Sequence, residues 1–201
     1  MSAKTPLTIY NTPIISGLFR MLAKLCMALA GWRIEGKLPN IPKFVFIGAP
    51  HTSNWDFILF LGLAFGLRVE ARFLGKAELF RWPVGWFFRY CGGIPVNRKQ
   101  SQGLVEQTTK AIQESERFIL VIAPEGTRHY VTEWKRGFYN IARGAGIPIV
   151  LGRVDGKHKV VNVGETFYPT DDMEADIKAI QHMFTGYTGI KPRRKYIPLE
   201  Q

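Results

Sequence analysis

Ala49-Pro50-His51-Thr52-Ser53-Asn54-Trp55-Asp56-Phe57 is the stretch of sequence that decides the fold. It follows an apolar run, residues 44–48, that predicts a buried strand, and it leads into a second run, residues 57–67, that is long enough for a helix. The stretch is therefore a loop between a strand and a helix. Such loops often carry chemistry in α/β folds, because a rigid scaffold holds them while they stay exposed.

His51 and Asp56 are the candidate catalytic pair in this loop. Ser53 and Asp56 form a capping-box pattern, which places Asp56 in the first helical turn, where free N–H groups and the helix dipole stabilise a carboxylate. Such a carboxylate can fix the tautomer of a nearby imidazole, so that the other ring nitrogen acts as a base. The alternative is a surface histidine beside an acid that only caps the helix, and a short motif alone leaves both open.

Strands and helices alternate along the rest of the chain. Residues 117–123 are the clearest buried strand, and they run into a second polar loop, Pro124-Glu125-Gly126-Thr127-Arg128. Residues 92–98 predict a short strand ending in Arg98, and residues 147–151 predict an apolar one. This alternation predicts a single α/β domain with a mainly parallel central sheet flanked by helices.

The N-terminal part of the chain predicts an amphipathic helix over residues 13–32, with Arg20 and Lys24 on a narrow face. The helix could lie in a membrane interface or pack on the core, and its periodicity favours neither. The two cations argue against a transmembrane span and against a signal sequence. The aromatic residues 79–90 also suit a membrane interface. We therefore divide the chain into a membrane-associating segment, residues 1–35, and an α/β domain, residues 36–201.

The charge of the chain is strongly positive. Lys and Arg number 27 and Asp and Glu 16, which gives a net charge of +11. That charge favours a nucleic acid, an acidic membrane or a phosphorylated substrate as the partner. The basic residues are scattered among long apolar runs without a nucleic-acid-reading motif, so we expect no nucleic-acid partner. The two cysteines, Cys26 and Cys91, show no metal-ligand spacing and predict free, buried thiols in a reducing compartment.

Taken together, four motifs give a family resemblance. His51 with Asp56, residues 92–98, residues 125–128 and the strand at residues 147–150 have the order seen in the glycerolipid acyltransferases. The chain resembles the bacterial lysophosphatidate acyltransferases in particular, over residues 44–155. It departs from the usual pattern at several positions, and these departures leave the acceptor open: Pro50, Pro95, Asn97 and Leu151-Gly152.

The resemblance implies acyl transfer in phospholipid biosynthesis, with His51 as general base and Asp56 as the acid that orients it. The residues implied in binding the polar head of the acceptor are Arg98, Glu125, Gly126, Thr127 and Arg128, with Lys76 in a lesser role. The implied acyl donor is acyl-CoA or acyl carrier protein, and no metal or bound cofactor is expected. The implied place is the cytoplasmic face of the cell membrane, peripheral or monotopic on anionic lipids.

The acceptor that the resemblance implies first is a lysophospholipid, 1-acyl-glycerol-3-phosphate. Another lyso-lipid, glycerol phosphate or a non-phosphorylated lipid stays open.

Overall fold

The structure, a computed structural model, describes residues 7–96 and 101–191. Its helices are α1 (Ile15–Leu29), α2 (Trp55–Gly66), α3 (Gly85–Tyr90), α4 (Ser101–Glu114), α5 (Gly137–Ala145) and α6 (Met173–His182), and a short 3-10 helix covers Ala77–Phe80. Its strands are β1 (Arg33–Gly36), β2 (Lys43–Ala49), β3 (Ala71–Lys76), β4 (Gly93–Val96), β5 (Phe118–Ile122), β6 (Ile149–Asp155) and β7 (Val160–Phe167).

The seven strands form one sheet in the order β1-β7-β6-β2-β5-β3-β4. Strand β2 lies at the centre and pairs in parallel with β5 on one side and β6 on the other. Only the β6–β7 pair among the described strands is antiparallel. The prediction of a single α/β domain with a mainly parallel sheet is confirmed, because helices cover both faces of this sheet.

Each face of the sheet carries its own apolar core. On one face, alternate β2 residues such as Val45 and Ile47 pack with α4, α5 and α6. On the other face, Phe44 and Phe46 pack with α2 and with Met27 of α1. Because side chains alternate along a strand, a central strand buried on both faces must be apolar throughout, as residues 44–47 are.

Two features of the sheet were not predicted. Strand β3 was missed because Arg72 and Lys76 interrupt its apolar pattern, although β4 and β5 pair with it on both sides. The antiparallel direction of β7 was missed as well. A four-residue connection between Asp155 and Val160 allows only a hairpin, since parallel neighbours need a crossover of about a dozen residues.

Helix α1 packs on α2, but none of its residues is buried. The Phe19 ring stacks on Phe65 at 5.7 Å between centroids, and Gly62 gives Met27 room for close approach. The opposite face of α1 is an apolar stripe directed outward. Its leucines are between 48 and 80% exposed: Leu18, Leu22, Leu25 and Leu29. Strand β1, which spans the expected segment boundary at residues 35 and 36, pairs with β7, and that boundary stays a prediction.

A buried polar cluster joins α6 to α5. The Tyr139 hydroxyl donates to Asp176 Oδ2 at 2.7 Å, and the Thr170 N–H and hydroxyl donate to the same carboxylate. Burial raises the pKa of Asp176, but these hydrogen bonds outweigh it and leave the pKa below its ordinary value. Burial and the bond to Asp176 raise the pKa of Tyr139 to about 12. The cluster fixes α6, which leads into the C-terminal residues beside the candidate site.

Candidate active site

The two polar loops of the sequence lie side by side at one edge of the sheet. Strands β2 and β5 are parallel neighbours, with Ile47 opposite Ile122. Their carboxyl ends therefore meet at the same edge, and residues 50–54 lie next to residues 123–128. The peptide bond between Ala49 and Pro50, which enters the first loop, is cis.

His51 and Asp56 are in direct contact. His51 Nδ1 lies 2.8 Å from Asp56 Oδ2, and the two side chains are 31% and 13% exposed. The same oxygen accepts hydrogen bonds of 2.7 Å from the main-chain N–H groups of Thr52 and Ser53. A carboxylate oxygen that accepts several hydrogen bonds is an acceptor in each of them. In the contact with the histidine, His51 Nδ1–H therefore donates to Asp56. In the neutral ring, Nε2 is then the nitrogen with the lone pair.

The capping pattern holds with a shift of one residue. Helix α2 begins at Trp55, with Asn54 as its N-cap residue. The Asp56 side chain reaches back to the Ser53 N–H as in a capping box, but the Ser53 hydroxyl accepts from Trp55 at 3.2 Å. The turn before the helix therefore brings the histidine and the acid together.

Glu125 holds the first loop to the second. Its side chain is buried at 5% exposure, and Oε2 accepts a 2.8 Å hydrogen bond from the His51 N–H. This hydrogen bond ties Glu125 to the main chain of the candidate base. A role of its carboxylate in binding an acceptor stays a prediction.

Arg128 is exposed and donates from Nη1 to Asn54 Oδ1, so its guanidinium lies beside the first turn of α2. Gly126 takes a left-handed conformation at φ +66°, and a Cβ there would come within 3.1 Å of Lys135 Cγ. Thr127 Oγ1 accepts from the His129 N–H at 3.3 Å. The second loop thus presents an exposed cation beside the first turn of the helix that carries Asp56.

Known proteins match this chain in sequence and in fold. The protein-family model called Acyltransferase matches residues 33–150, which include both polar loops and most of the sheet. The chain belongs to the acyltransferase family.

Two relatives of this acyltransferase are informative. A 1-acyl-sn-glycerol-3-phosphate acyltransferase of Streptococcus pneumoniae (strain ATCC BAA-255 / R6) is 30% identical over 109 residues, which covers 49% of this chain and 40% of that protein. This acyltransferase therefore spans less than half the length of the curated relative that it matches. The crystal structure of the 1-acyl-sn-glycerophosphate (LPA) acyltransferase PlsC from Thermotoga maritima has a TM-score of 0.63 at 20% identity, covering 85% of this chain and 76% of that one. This similarity between the two structures shows that the two proteins share a fold.

Of the two other basic residues predicted to bind the acceptor, the structure of the acyltransferase describes Lys76 and not Arg98. Lys76 is exposed at the end of β3, which lies beyond β5 in the strand order. Two strand spacings separate β3 from β2, which is about 10 Å. Arg98 follows β4 in the sequence but lies outside the described residues. The parts of Lys76 and Arg98 in binding an acceptor stay predictions.

Sequence reasoning missed two residues at the site of the acyltransferase. Asn54 holds the Arg128 guanidinium, and Lys135 lies against Gly126 while its N–H donates to Pro124 O at 2.8 Å. Asn54 could have been found from the sequence, because it is a polar residue two positions before the candidate acid Asp56. No pattern in the sequence connects Lys135 with Gly126. Within residues 7–96 and 101–191, no three His, Cys, Asp or Glu side chains are grouped as a metal site requires.

Proposed function

We propose that this acyltransferase moves a fatty acyl group from a thioester, acyl-CoA or acyl carrier protein, to the hydroxyl of a lysophospholipid. The observation that carries this proposal is the 2.8 Å contact of His51 Nδ1 with Asp56 Oδ2, at the edge of the sheet where α/β enzymes place their chemistry. The name of the Streptococcus relative favours 1-acyl-glycerol-3-phosphate as the acceptor.

The proposed reaction is a direct transfer. His51 Nε2 takes the proton of the acceptor hydroxyl while the hydroxyl oxygen attacks the thioester carbonyl carbon. The tetrahedral intermediate then loses the thiolate, which takes the proton from the imidazolium. One carbon–oxygen bond replaces one carbon–sulfur bond, and no acyl-enzyme forms. Asp56 remains charged and stabilises the imidazolium between the two proton transfers.

The oxyanion of this intermediate needs hydrogen-bond donors. Most main-chain N–H groups of the first loop already donate to acceptors within the protein. From His51 to Phe57, every N–H group except that of Asn54 already donates within the protein. The start of helix α2 therefore offers few free N–H donors to an oxyanion. We assign the oxyanion instead to main-chain N–H groups of the second loop.

Arg128 is the described residue best placed to bind a phosphorylated head group. Arg128→Ala is expected to raise the KM for 1-acyl-glycerol-3-phosphate at least about 10-fold, since a charge-assisted hydrogen bond contributes about 1.5–3 kcal/mol. Steady-state kinetics with a labelled thioester measures this effect. Arg143→Ala is the matched control, because Arg143 is a half-exposed guanidinium already paired with Asp171.

A non-phosphorylated acceptor, monoacylglycerol, sharpens the Arg128 experiment. If Arg128 binds the phosphate, Arg128→Ala changes the KM for monoacylglycerol much less than that for the phosphorylated acceptor. An equal rise for both acceptors, or a rise that Arg143→Ala reproduces, contradicts the assignment.

The acceptor and the donor are decided by direct competition. Purified protein is offered one labelled thioester with a mixture of 1-acyl-glycerol-3-phosphate, other lysophospholipids, glycerol 3-phosphate and monoacylglycerol, and the products are separated by mass. We expect phosphatidate as the main product. The same mixture with acyl-CoA or with acyl carrier protein identifies the donor.

We also propose that the enzyme works on a membrane surface with anionic lipids. Apolar groups are exposed along α1, and Trp82 just before α3 and Trp86 within it are 93% and 68% exposed. Apolar surface of this extent and aromatic side chains suit a membrane interface, and the net charge of +11 favours anionic lipids. Among the described residues, no helix is long and apolar enough to cross a membrane.

Helix α1 provides the test of membrane binding. Leu25→Glu is expected to weaken binding to phosphatidylglycerol-containing vesicles at least about 10-fold, because burying a leucine side chain contributes about 1.5–3 kcal/mol. Vesicle co-sedimentation measures the change. Asn140→Asp introduces the same charge change at an exposed position of α5, on the other face of the sheet, and is expected to bind nearly as wild type.

The native cysteines give this experiment a second readout. Cys26 on α1 is exposed, so the prediction that both thiols are buried is wrong for this residue. Cys91 is buried, and burial raises its pKa to about 11, so a thiol-reactive dye labels Cys26 selectively. An environment-sensitive dye on Cys26 should shift to the blue with vesicles. Unchanged emission together with unaltered binding of Leu25→Glu would contradict membrane docking through α1.

A further inference from the structure

The C-terminal residues 184–191 return to the candidate active site after α6. The Lys191 N–H donates to Thr52 Oγ1 at 3.0 Å, across 139 positions of the sequence. Thr52 is the residue directly after His51. Lys191 lies outside residues 33–150, the part that the family model matches, whereas Thr52 lies inside it.

This C-terminal segment is fixed to the sheet next to the first loop. The Gly189 N–H donates to Val154 O at 3.0 Å, and Gly189 forms a parallel bridge with Asp155 at the end of β6. A Cβ at Gly156 would lie 1.8 Å from Gly189 O, so the two main chains are in direct contact. Because β6 is the neighbour of β2, the segment rests beside the loop that β2 leads into.

Gly189 leaves no room for a side chain against this loop. It is buried, its φ is +73°, and a Cβ there would lie 2.5 Å from Thr52 Cγ2 and 3.0 Å from Pro50 O. Real Cβ atoms do not approach other atoms at 2.5 Å, so any larger residue has to displace the loop or the segment. Glycine also adopts the left-handed conformation at little cost.

Thr52 connects this segment to the acid of the catalytic pair. Its N–H donates to Asp56 Oδ2 at 2.7 Å, and its hydroxyl accepts from Lys191. A shift of Thr52 therefore moves the main chain next to His51 and one of the donors that hold Asp56. Misplacement of a catalytic group by about 1 Å can lower a rate about 100-fold.

We propose that Gly189 and Thr52 are positioning residues, through which the C-terminal segment holds the His51–Asp56 pair in its reactive geometry. Neither residue touches the reacting atoms. Both act through the main chain of residues 50–52. This inference rests on the proposed function of His51 as the base in acyl transfer.

Two glycines of the same segment provide a matched test. Gly186 has φ +91° and nothing within 4 Å of a Cβ, so Gly186→Ala brings a similar conformational strain without the contact. Gly189→Ala is expected to lower kcat at least about 10-fold with the KM of both substrates nearly unchanged, and Gly186→Ala to lower it much less. Equal losses in the two variants, or a rise in KM alone, would overturn the inference.

A second pair of variants keeps the test valid if Gly189→Ala does not fold. Thr52→Val keeps the shape of the side chain and removes the acceptor of the Lys191 N–H, while Thr52→Ser keeps the hydroxyl. We expect kcat to fall several-fold more in Thr52→Val than in Thr52→Ser. Similar values in both would show that the hydrogen bond to the segment does not matter.

The imidazole nitrogen signals of His51 give a readout that does not depend on turnover. In nitrogen-15 NMR, the protonated Nδ1 of His51 should be disturbed by Gly189→Ala and not by Gly186→Ala. If the wild-type protein transfers no acyl group, the proposed function fails while this contrast persists. If the protein is active and the two variants give the same spectrum, the positioning role fails.

Discussion

Replacing His51 by alanine is expected to lower the kcat of acyl transfer about 1,000-fold and to leave the fold intact, since a general base contributes 100- to 10,000-fold. The alanine has no nitrogen to accept the hydroxyl proton. The His51 side chain is 31% exposed, so its removal is expected to cost the core little. Single-turnover and steady-state rates with labelled thioester measure the loss, and thermal unfolding by circular dichroism checks the fold.

The chain contains a matched control for His51. His158 Nδ1 lies 2.6 Å from Asp155 Oδ2 in the exposed turn between β6 and β7, so it repeats the histidine–carboxylate contact in another loop. His158→Ala is expected to keep the rate of acyl transfer within about twofold, as surface changes usually do. Undiminished turnover of His51→Ala would reject the proposed mechanism, and an equal loss in both variants would point to a general effect on the protein.

Replacing Asp56 by asparagine is expected to lower kcat about 100-fold, with the KM of the acceptor nearly unchanged. Asparagine has nearly the same shape, and its carbonyl can still accept from the Thr52 and Ser53 N–H groups. It carries no charge, so it cannot stabilise the imidazolium, and it no longer requires the Nδ1–H tautomer of His51. Steady-state kinetics measures kcat and KM, and nitrogen-15 NMR of the imidazole reports the tautomer.

The control for Asp56→Asn is Asp171→Asn. Asp171 is a fully exposed carboxylate paired with Arg143, so the same chemical change there should leave kcat unaltered. Loss of the helix-terminal charge can also destabilise α2 by about 0.3–1 kcal/mol, which urea unfolding of both variants separates from the kinetic effect. A rise in KM without a fall in kcat would assign Asp56 to substrate binding and contradict its role beside His51.

The sequence predicted most of the fold where the signal is local. The apolar run at residues 44–48 and its counterpart near residue 120 became the central pair β2 and β5, because strands buried on both faces must be apolar. Strand β3 escaped prediction because Arg72 and Lys76 break its pattern, and its pairing with β4 and β5 appears only in the assembled sheet. Pairing between strands depends on partners far away in the sequence.

At the candidate site, the sequence by itself determined the pairing of His51 with Asp56. The two residues are five apart in one turn between a strand and a helix, so local chain geometry brings the ring to the carboxylate. Only the tertiary structure decided what surrounds them. Glu125 accepts from the His51 N–H across 74 positions, and the C-terminal segment reaches Thr52 across 139. These contacts depend on which strands are neighbours and where the chain returns, which no local pattern of residues encodes.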